Sequence, residues 1–331
     1  MRVRIATFNL ENFGQRHGPS APLSERIARL APQVKRLDAD ILCLQEVNAQ
    51  TSDGQGPRRF VALDALLAGT RYEHYKRAAT TSPGGDPADI HNLVILSRYP
   101  ITARRQYHHD YVAPPTYRPA TAIPPAREFQ PVEWERPVLH VEIAIGAKTP
   151  LHVFNLHLRA PIAAPIAGQK LAPLVWKTVG GWAEGFYLAA IKRTGQALEA
   201  RLAIERIFDA EPDALIAVAG DFNADAREMP VRVLRGDAED TGNDALAFRA
   251  LSALERAVAA ERRYSVLHHG EALMLDHLLV SPALLGLNVR AEIHNEGLAD
   301  EYLEGRSGAP PAGSFHAPVV AEFEIPERTL G

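Results

Sequence analysis

The chain has 331 residues, enough for one large domain or two ordinary ones, and enough to bury a sizeable core. Its 36 Lys and Arg against 40 Asp and Glu leave a formal charge of −4, which excludes a binder driven by a basic tail or a uniformly basic surface. Apolar residues at 46% and charged residues at 23% exclude wholesale disorder, and the single cysteine, Cys43, excludes an internal disulfide or a cysteine zinc cluster.

In chain order, MRVRIATF reads as a strand, with Val3 and Ile5 alternating with Arg2 and Arg4, rather than as a signal peptide. No uninterrupted apolar run approaches the ~18 residues of a membrane-spanning helix, so a soluble protein of the reducing cytoplasm is expected. Residues 24–37 carry Ile27, Leu30, Ala31, Val34 and Leu37 at helical spacing, with Ser24 as N-cap and Pro32 expected to kink or shorten the helix. Strands follow at 40–47, which holds Cys43 in the core, and at 92–97. Residues 98–127 combine Arg98, Arg104, Arg105, Arg118 and Arg127 with prolines and tyrosines, the composition of either a phosphate-contacting surface or a proline-pinned loop. Strands are expected at 138–145 and 151–158, and on the second of these Leu151, Val153, Asn155 and His157 share one face.

Residues 159–191 are apolar, with Trp176, Trp182, Phe186 and Tyr187 and the lone acid Glu184; a packed helical hairpin is the favoured reading over a lid or a lipid-facing patch. A helix over 193–209 precedes strands at 214–220, 275–281 and 318–325. The pairs His108–His109 and His268–His269 read as loop residues, since neighbours on a strand point to opposite faces.

Most strands end on polar residues: Asn9 and Glu11, Glu46, Asn155 and His157, Asp221 and Asn223, Asp276, and His316. Carboxylates and carboxamides without cysteine suit a hard divalent cation, and the histidines suit proton transfer, together the parts of metal-assisted phosphoryl chemistry.

In order and type, the segments TFNLEN, LQEV, FNLHL, GDFNAD, LDH and SFHAPV resemble those of the endonuclease/exonuclease/phosphatase superfamily, also called DNase I-like. The resemblance implies an α/β fold, a four-layer α/β/β/α sandwich with two central mixed β-sheets, as a single domain over 1–331 with long insertions near 98–135 and 159–191. It implies Mg²⁺ (or Mn²⁺), with Glu46 as the primary metal ligand and Asn9 and Glu11 beside it. Asn155 and His157 would contact the scissile phosphate, Asp221 and Asn223 would place the attacking water, and Asp276 would orient His316 as general base. Where the family follows that aspartate with Tyr, this chain has His277; where it has Ser-Asp-His, this chain has Ser314, Phe315 and His316, so one acid is missing.

The function implied is a divalent-metal-dependent phosphoester hydrolase, foremost a phosphodiesterase or nuclease whose partner is a phosphate-ester substrate, nucleic acid included. The alternatives are a phosphatase or phospholipid diesterase of the same fold, with lipid contact through 159–191, or a non-catalytic phosphate-binding scaffold on account of Phe315.

Overall fold

The computed structural model describes residues 1–14, 21–51, 56–146, 149–305 and 312–326. Twelve strands build two sheets: β1 (Arg2–Phe13), β2 (Ile41–Val47), β3 (Lys76–Ala79), β4 (Asn92–Ser97), β5 (Ile101–Tyr107), β6 (Val138–Ile143), β7 (Leu151–His157), β8 (Leu215–Asp221), β9 (Ser252–Ala253), β10 (Asp276–Val280), β11 (Asn288–Ile293) and β12 (Val319–Glu324). The first sheet has the order β11-β12-β1-β2-β4-β3 and the second β9-β10-β8-β7-β6-β5. Both are mixed, because β1 with β2 and β7 with β8 are parallel pairs among antiparallel ones.

Alternation explains the layers. Inward residues such as Ile5, Cys43, Val141, Val153 and Ala217 pack between the sheets in one core. The outward residues of the first sheet meet helices α1 (Leu23–Leu37) and α2 (Val61–Leu67). Those of the second meet α3 (Val179–Ala210) and the short α4 (Met229–Arg235). The result is the expected four-layer α/β/β/α sandwich.

Helix α1 departs from expectation at two points. Its N-cap is Pro22, with no side-chain cap, and the helix runs through Pro32 to Leu37. Pro32 lies on the exposed side while Leu30, Val34 and Leu37 are buried, so packing of the apolar stripe offsets the lost backbone bond.

The long stretches also differ from expectation. Residues Ile101–Tyr107 of the first are the edge strand β5, and the irregular excursion begins after Tyr107. Arg98 pairs with Asp40 at 3.2 Å and Arg118 lies over Phe129. The second stretch is a two-stranded hairpin, Lys170–Ala172 with Val175–Trp176, followed by the first turns of α3, rather than a helical hairpin. The two excursions pack on each other through Ala122, Val132, Ala164 and Ile166. Glu184 fastens them, accepting hydrogen bonds from Tyr117 Oη, Thr121 Oγ1 and the amides of Ala120 and Thr121. Gly185 makes this docking possible: a Cβ there would lie 2.3 Å from the Ala164 carbonyl oxygen.

Outside the second sheet, His140 stacks on Phe154 and bonds His152 Nδ1 at 3.1 Å and Tyr107 Oη at 3.3 Å. Burial, then the neighbouring His152 and Arg105, lower its pKa from 6.5 to about 3. A neutral buried histidine contributes stability that is complete above the unfolded value of 6.5 and is lost as pH falls toward 3. At about 1.4 kcal/mol per unit, the loss is on the order of 4 kcal/mol. His140→Phe is therefore expected to flatten the fall in melting temperature between pH 6.5 and 3; a difference between wild type and variant that does not change with pH would contradict this.

Candidate active site

The polar strand ends gather at one end of the inter-sheet core. The register places Asp221 opposite both His157 on β7 and Asp276 on β10, and Asn9 opposite Gln45 on β2. Gly220 permits the close approach behind Asp221: its φ is +145°, and a Cβ there would meet the Leu156 carbonyl oxygen at 2.0 Å.

Asn9 is the hub. Its Nδ2 donates to Glu46 Oε1 at 3.3 Å and to Asp221 Oδ2 at 3.0 Å, and its Oδ1 accepts from the Glu11 amide at 2.8 Å. Asn9 thereby positions two carboxylates, and its oxygen, one lone pair of which accepts the backbone hydrogen bond, keeps a second for a cation. Glu46 takes its second hydrogen bond from the Asn12 amide, and Glu11, Asn12 and Glu46 all hold positive φ angles in this bulged part of the site. Asn223 donates to Asp221 through its backbone amide at 2.8 Å and its Nδ2 at 3.1 Å. Burial, and then the nearby Asp276 and Glu46 against His316, push Asp221 up to about 7.

His316 Nδ1 lies 2.8 Å from Asp276 Oδ2, and the Asp276 side chain is almost fully buried. Burial alone would lower the His316 pKa; Asp276 and Asp221 outweigh it and hold the ring well above the ordinary histidine value. The bond to Asp276 leaves Nε2 as the ring nitrogen free to meet a substrate. His157 Nε2 lies 3.5 Å from Glu46 Oε1 and 3.4 Å from Asp221 Oδ2. Burial, then Arg136, His91 and His316, push its pKa well below 6.5, so this ring is neutral.

Asn155 is not at the reaction centre. Its Oδ1 accepts from Gln45 Nε2 at 2.6 Å and its Nδ2 donates to the carbonyls of Leu44 and Val94, both at 3.0 Å. All its polar capacity ties the two sheets together, which replaces the expected phosphate contact with a structural one.

The expected acid at position 315 is a buried phenylalanine. The Phe315 amide donates to Glu11 Oε2 at 2.9 Å, so the Glu11 carboxylate lies beside the backbone of the position that lacks its own. Burial raises the Glu11 pKa, and His316 and Arg26 act in the other direction. Arg26 braces this corner by donating to the carbonyls of Leu10, Glu11 and Gly313.

Sequence reasoning missed Arg26, His91 and Arg136. Only Arg26 left a signal, as a charged residue in line with Leu30, Val34 and Leu37 on the buried side of α1. His91 and Arg136 arrive from loops, with His91 Nδ1 at 3.9 Å from Glu46 Oε2. One ligating atom each from Glu46, His91 and His157 falls within a span of 4.8 Å, as does one each from Asp221, Asp276 and His316. A carboxylate with two imidazoles suits a divalent cation and admits Mn²⁺ as well as Mg²⁺. His108 bonds the Trp134 carbonyl and His268 pairs with Glu301, so neither joins this site.

The sequence profile of the Endonuclease/Exonuclease/phosphatase family matches residues 6–298. The chain belongs to that family. No curated protein matches it significantly by sequence. Among solved structures it is similar to truncated TDP2 of Caenorhabditis elegans, at 16% identity and a TM-score of 0.57, covering 98% of each chain. A family protein of Bacteroides vulgatus gives 16% identity and 0.57, over 98% of this chain and 100% of that one. An AP endonuclease of Archaeoglobus fulgidus gives 14% and 0.52, also over 98% and 100%. At these identities the likeness is one of fold.

Proposed function

We propose that this member of the Endonuclease/Exonuclease/phosphatase family is a divalent-cation-dependent phosphodiesterase. The observation that carries the reading is the His316–Asp276 pair, set at 2.8 Å beside Asp221 at one end of the inter-sheet core. A phosphate-binding scaffold has no use for a base held by a buried carboxylate. The missing acid at 315 does not favour the scaffold either, because Glu11 brings a carboxylate to that backbone.

Asp221 and Asn223 position a water molecule, and His316 takes its proton once the ring is neutral. The water oxygen bonds to phosphorus in line as the ester oxygen leaves on the opposite side and is protonated from solvent. His157 donates a hydrogen bond to a phosphoryl oxygen. Mg²⁺ or Mn²⁺ would be held by Glu46, with Glu11 and the imidazole of His91 at hand, and would supply charge neutralisation at the phosphoryl oxygens. A buried cysteine, Cys43, fits the reducing cytoplasm, and no helix among the described residues is long and apolar enough to cross a membrane.

One observation favours a second reading, a phospholipid diesterase: Leu171, Leu174 and Val179 are 70, 73 and 80% exposed around the 170–176 hairpin. Turnover of bis-p-nitrophenyl phosphate, p-nitrophenyl phosphate and a phosphatidylcholine vesicle separates the readings. Diester cleavage well above monoester cleavage supports the first, monoester cleavage alone makes the protein a phosphatase, and cleavage confined to the vesicle selects the lipid reading.

Glu11→Gln is expected to weaken Mn²⁺ affinity by roughly 10–100-fold, the range seen when a supporting group at a metal site is lost. Adding Phe315→Asp should restore part of it. Calorimetric titration of Mn²⁺ into both variants checks this, and unchanged affinity in Glu11→Gln would remove Glu11 from the cation's surroundings.

A further inference from the structure

Beside the carboxylates lies a cleft of about 580 Å³, between the 80–91 segment and the start and end of β6 and β7. Arg136, Arg159 and His91 line it, with Thr81, Ser82 and Gln106 opposite. Its single lining carboxylate, Glu135, is already paired with Lys192 at 2.6 Å. The two arginines have no carboxylate partner among the described residues. Arg136 spends Nη1 on the Leu158 carbonyl at 3.1 Å and brings Nη2 to within 3.5 Å of His91 Nδ1, which leaves most of its five N–H donors open. Arg159 fixes its backbone amide on Gln196, while its buried Nε has no partner. The two guanidinium groups repel each other, and the carboxylates of Glu46, Asp221 and Glu135 act on Arg136 through space without bonding it. An anion in the cleft would give both guanidinium forks the direct partner they lack.

The cleft opens directly onto the reaction centre, because His91 belongs both to its lining and to the Glu46–His157 group. We infer that Arg136 and Arg159 form a second anion subsite, which holds a phosphate of the substrate adjacent to the phosphate being cleaved. Guanidinium forks match phosphate oxygens in geometry as well as charge. The substrate then carries at least two phosphates in succession, as in a phosphorylated dinucleotide or a longer nucleotide chain. The inference rests on the hydrolase reading above and deepens it.

The test is calorimetric binding in chelator, where no turnover occurs, of the thymidine dinucleotide TpT and of its 5′- and 3′-phosphorylated forms, pTpT and TpTp. One phosphorylated form is expected to bind about 10-fold or more tightly than TpT, as one charge-assisted contact supplies. Which form it is identifies the side of the scissile phosphate that the cleft serves. Arg159→Gln is expected to shrink the advantage to within about twofold. Arg136→Gln should do the same, with circular dichroism to confirm its fold, because Arg136 also holds Leu158. Equal binding of all three ligands by wild type, or an advantage that survives in folded Arg136→Gln/Arg159→Gln, would overturn the subsite. Turnover of TpT with Mn²⁺ is read separately: preferential binding without turnover of any form would sink the hydrolase reading and leave the anion site standing.

Discussion

His316→Ala is expected to lower kcat/KM for diester hydrolysis by roughly 10²–10⁴-fold, the usual contribution of a general base. The ring is fully positioned by its bond to Asp276, and no other imidazole at the site is equivalent: burial and positive neighbours make His157 a weak base, and His91 Nδ1 stands 3.9 Å from Glu46 Oε2, beyond hydrogen-bond distance. The pH profile adds a signature that a packing defect would not give. Asp276 and Asp221 hold the His316 proton above the ordinary range, so the base is produced as pH rises, and the rising limb of kcat/KM should lie above the ordinary histidine value of 6.5. Asp276→Asn removes one of these carboxylates and should shift that limb to lower pH while reducing the maximum. Full activity in His316→Ala, or a limb that does not move in Asp276→Asn, would assign the proton to another group.

The second large effect is on stability. His277, next to Asp276, is fully buried, with Nδ1 at 2.5 Å from Glu255 Oε1 and Nε2 at 2.8 Å from the Ala224 carbonyl oxygen. Burial opposes its charge, but Glu255 and the Ala224 bond prevail and raise its pKa above 6.5. Both ring nitrogens therefore donate, and the imidazolium ties β10 to the turn that carries Asp221 and Asn223. Glu255→Ala leaves that charge without its partner and is expected to cost about 3–5 kcal/mol. For a group with a raised folded pKa, the contribution is complete below 6.5 and lost as pH rises through the folded value. The deficit of Glu255→Ala in urea denaturation should accordingly be largest at acid pH and narrow toward alkaline pH. A cost below 1 kcal/mol at pH 6 would show that the pair is not an ion pair in the folded protein.

The sandwich was legible because its strands are short apolar runs bounded by polar residues, alternating at 138–145 and continuous at 40–47, 92–97 and 214–220, and 92–97 falls where its run puts it. Alternation fixes the face of a residue but not its depth. Asn155 and His157 share a face, yet Asn155 sits one pair further into the core, level with Gln45, and is consumed there. Residues announced by local motifs, Asp221 and Asn223 in GDFN and His316 in SFHAPV, were found beside their expected neighbours. His91 and Arg136 were not legible, because 45 residues separate them and only the folded loops bring their side chains to 3.5 Å. The start of α3 was hidden for a different reason. Gly180, Gly181 and Gly185 depress helix propensity, while the close docking of the preceding segment needs small residues on that face.

The central claim is that this site cleaves phosphodiesters with a divalent cation. It is tested most directly by wild-type turnover of bis-p-nitrophenyl phosphate in Mn²⁺, then in excess chelator, then with Mn²⁺ restored. Turnover that disappears in chelator and returns with the cation is the predicted result. Turnover that persists undiminished in chelator, or its absence from folded protein that also leaves TpT, pTpT and TpTp intact in Mn²⁺, would contradict it.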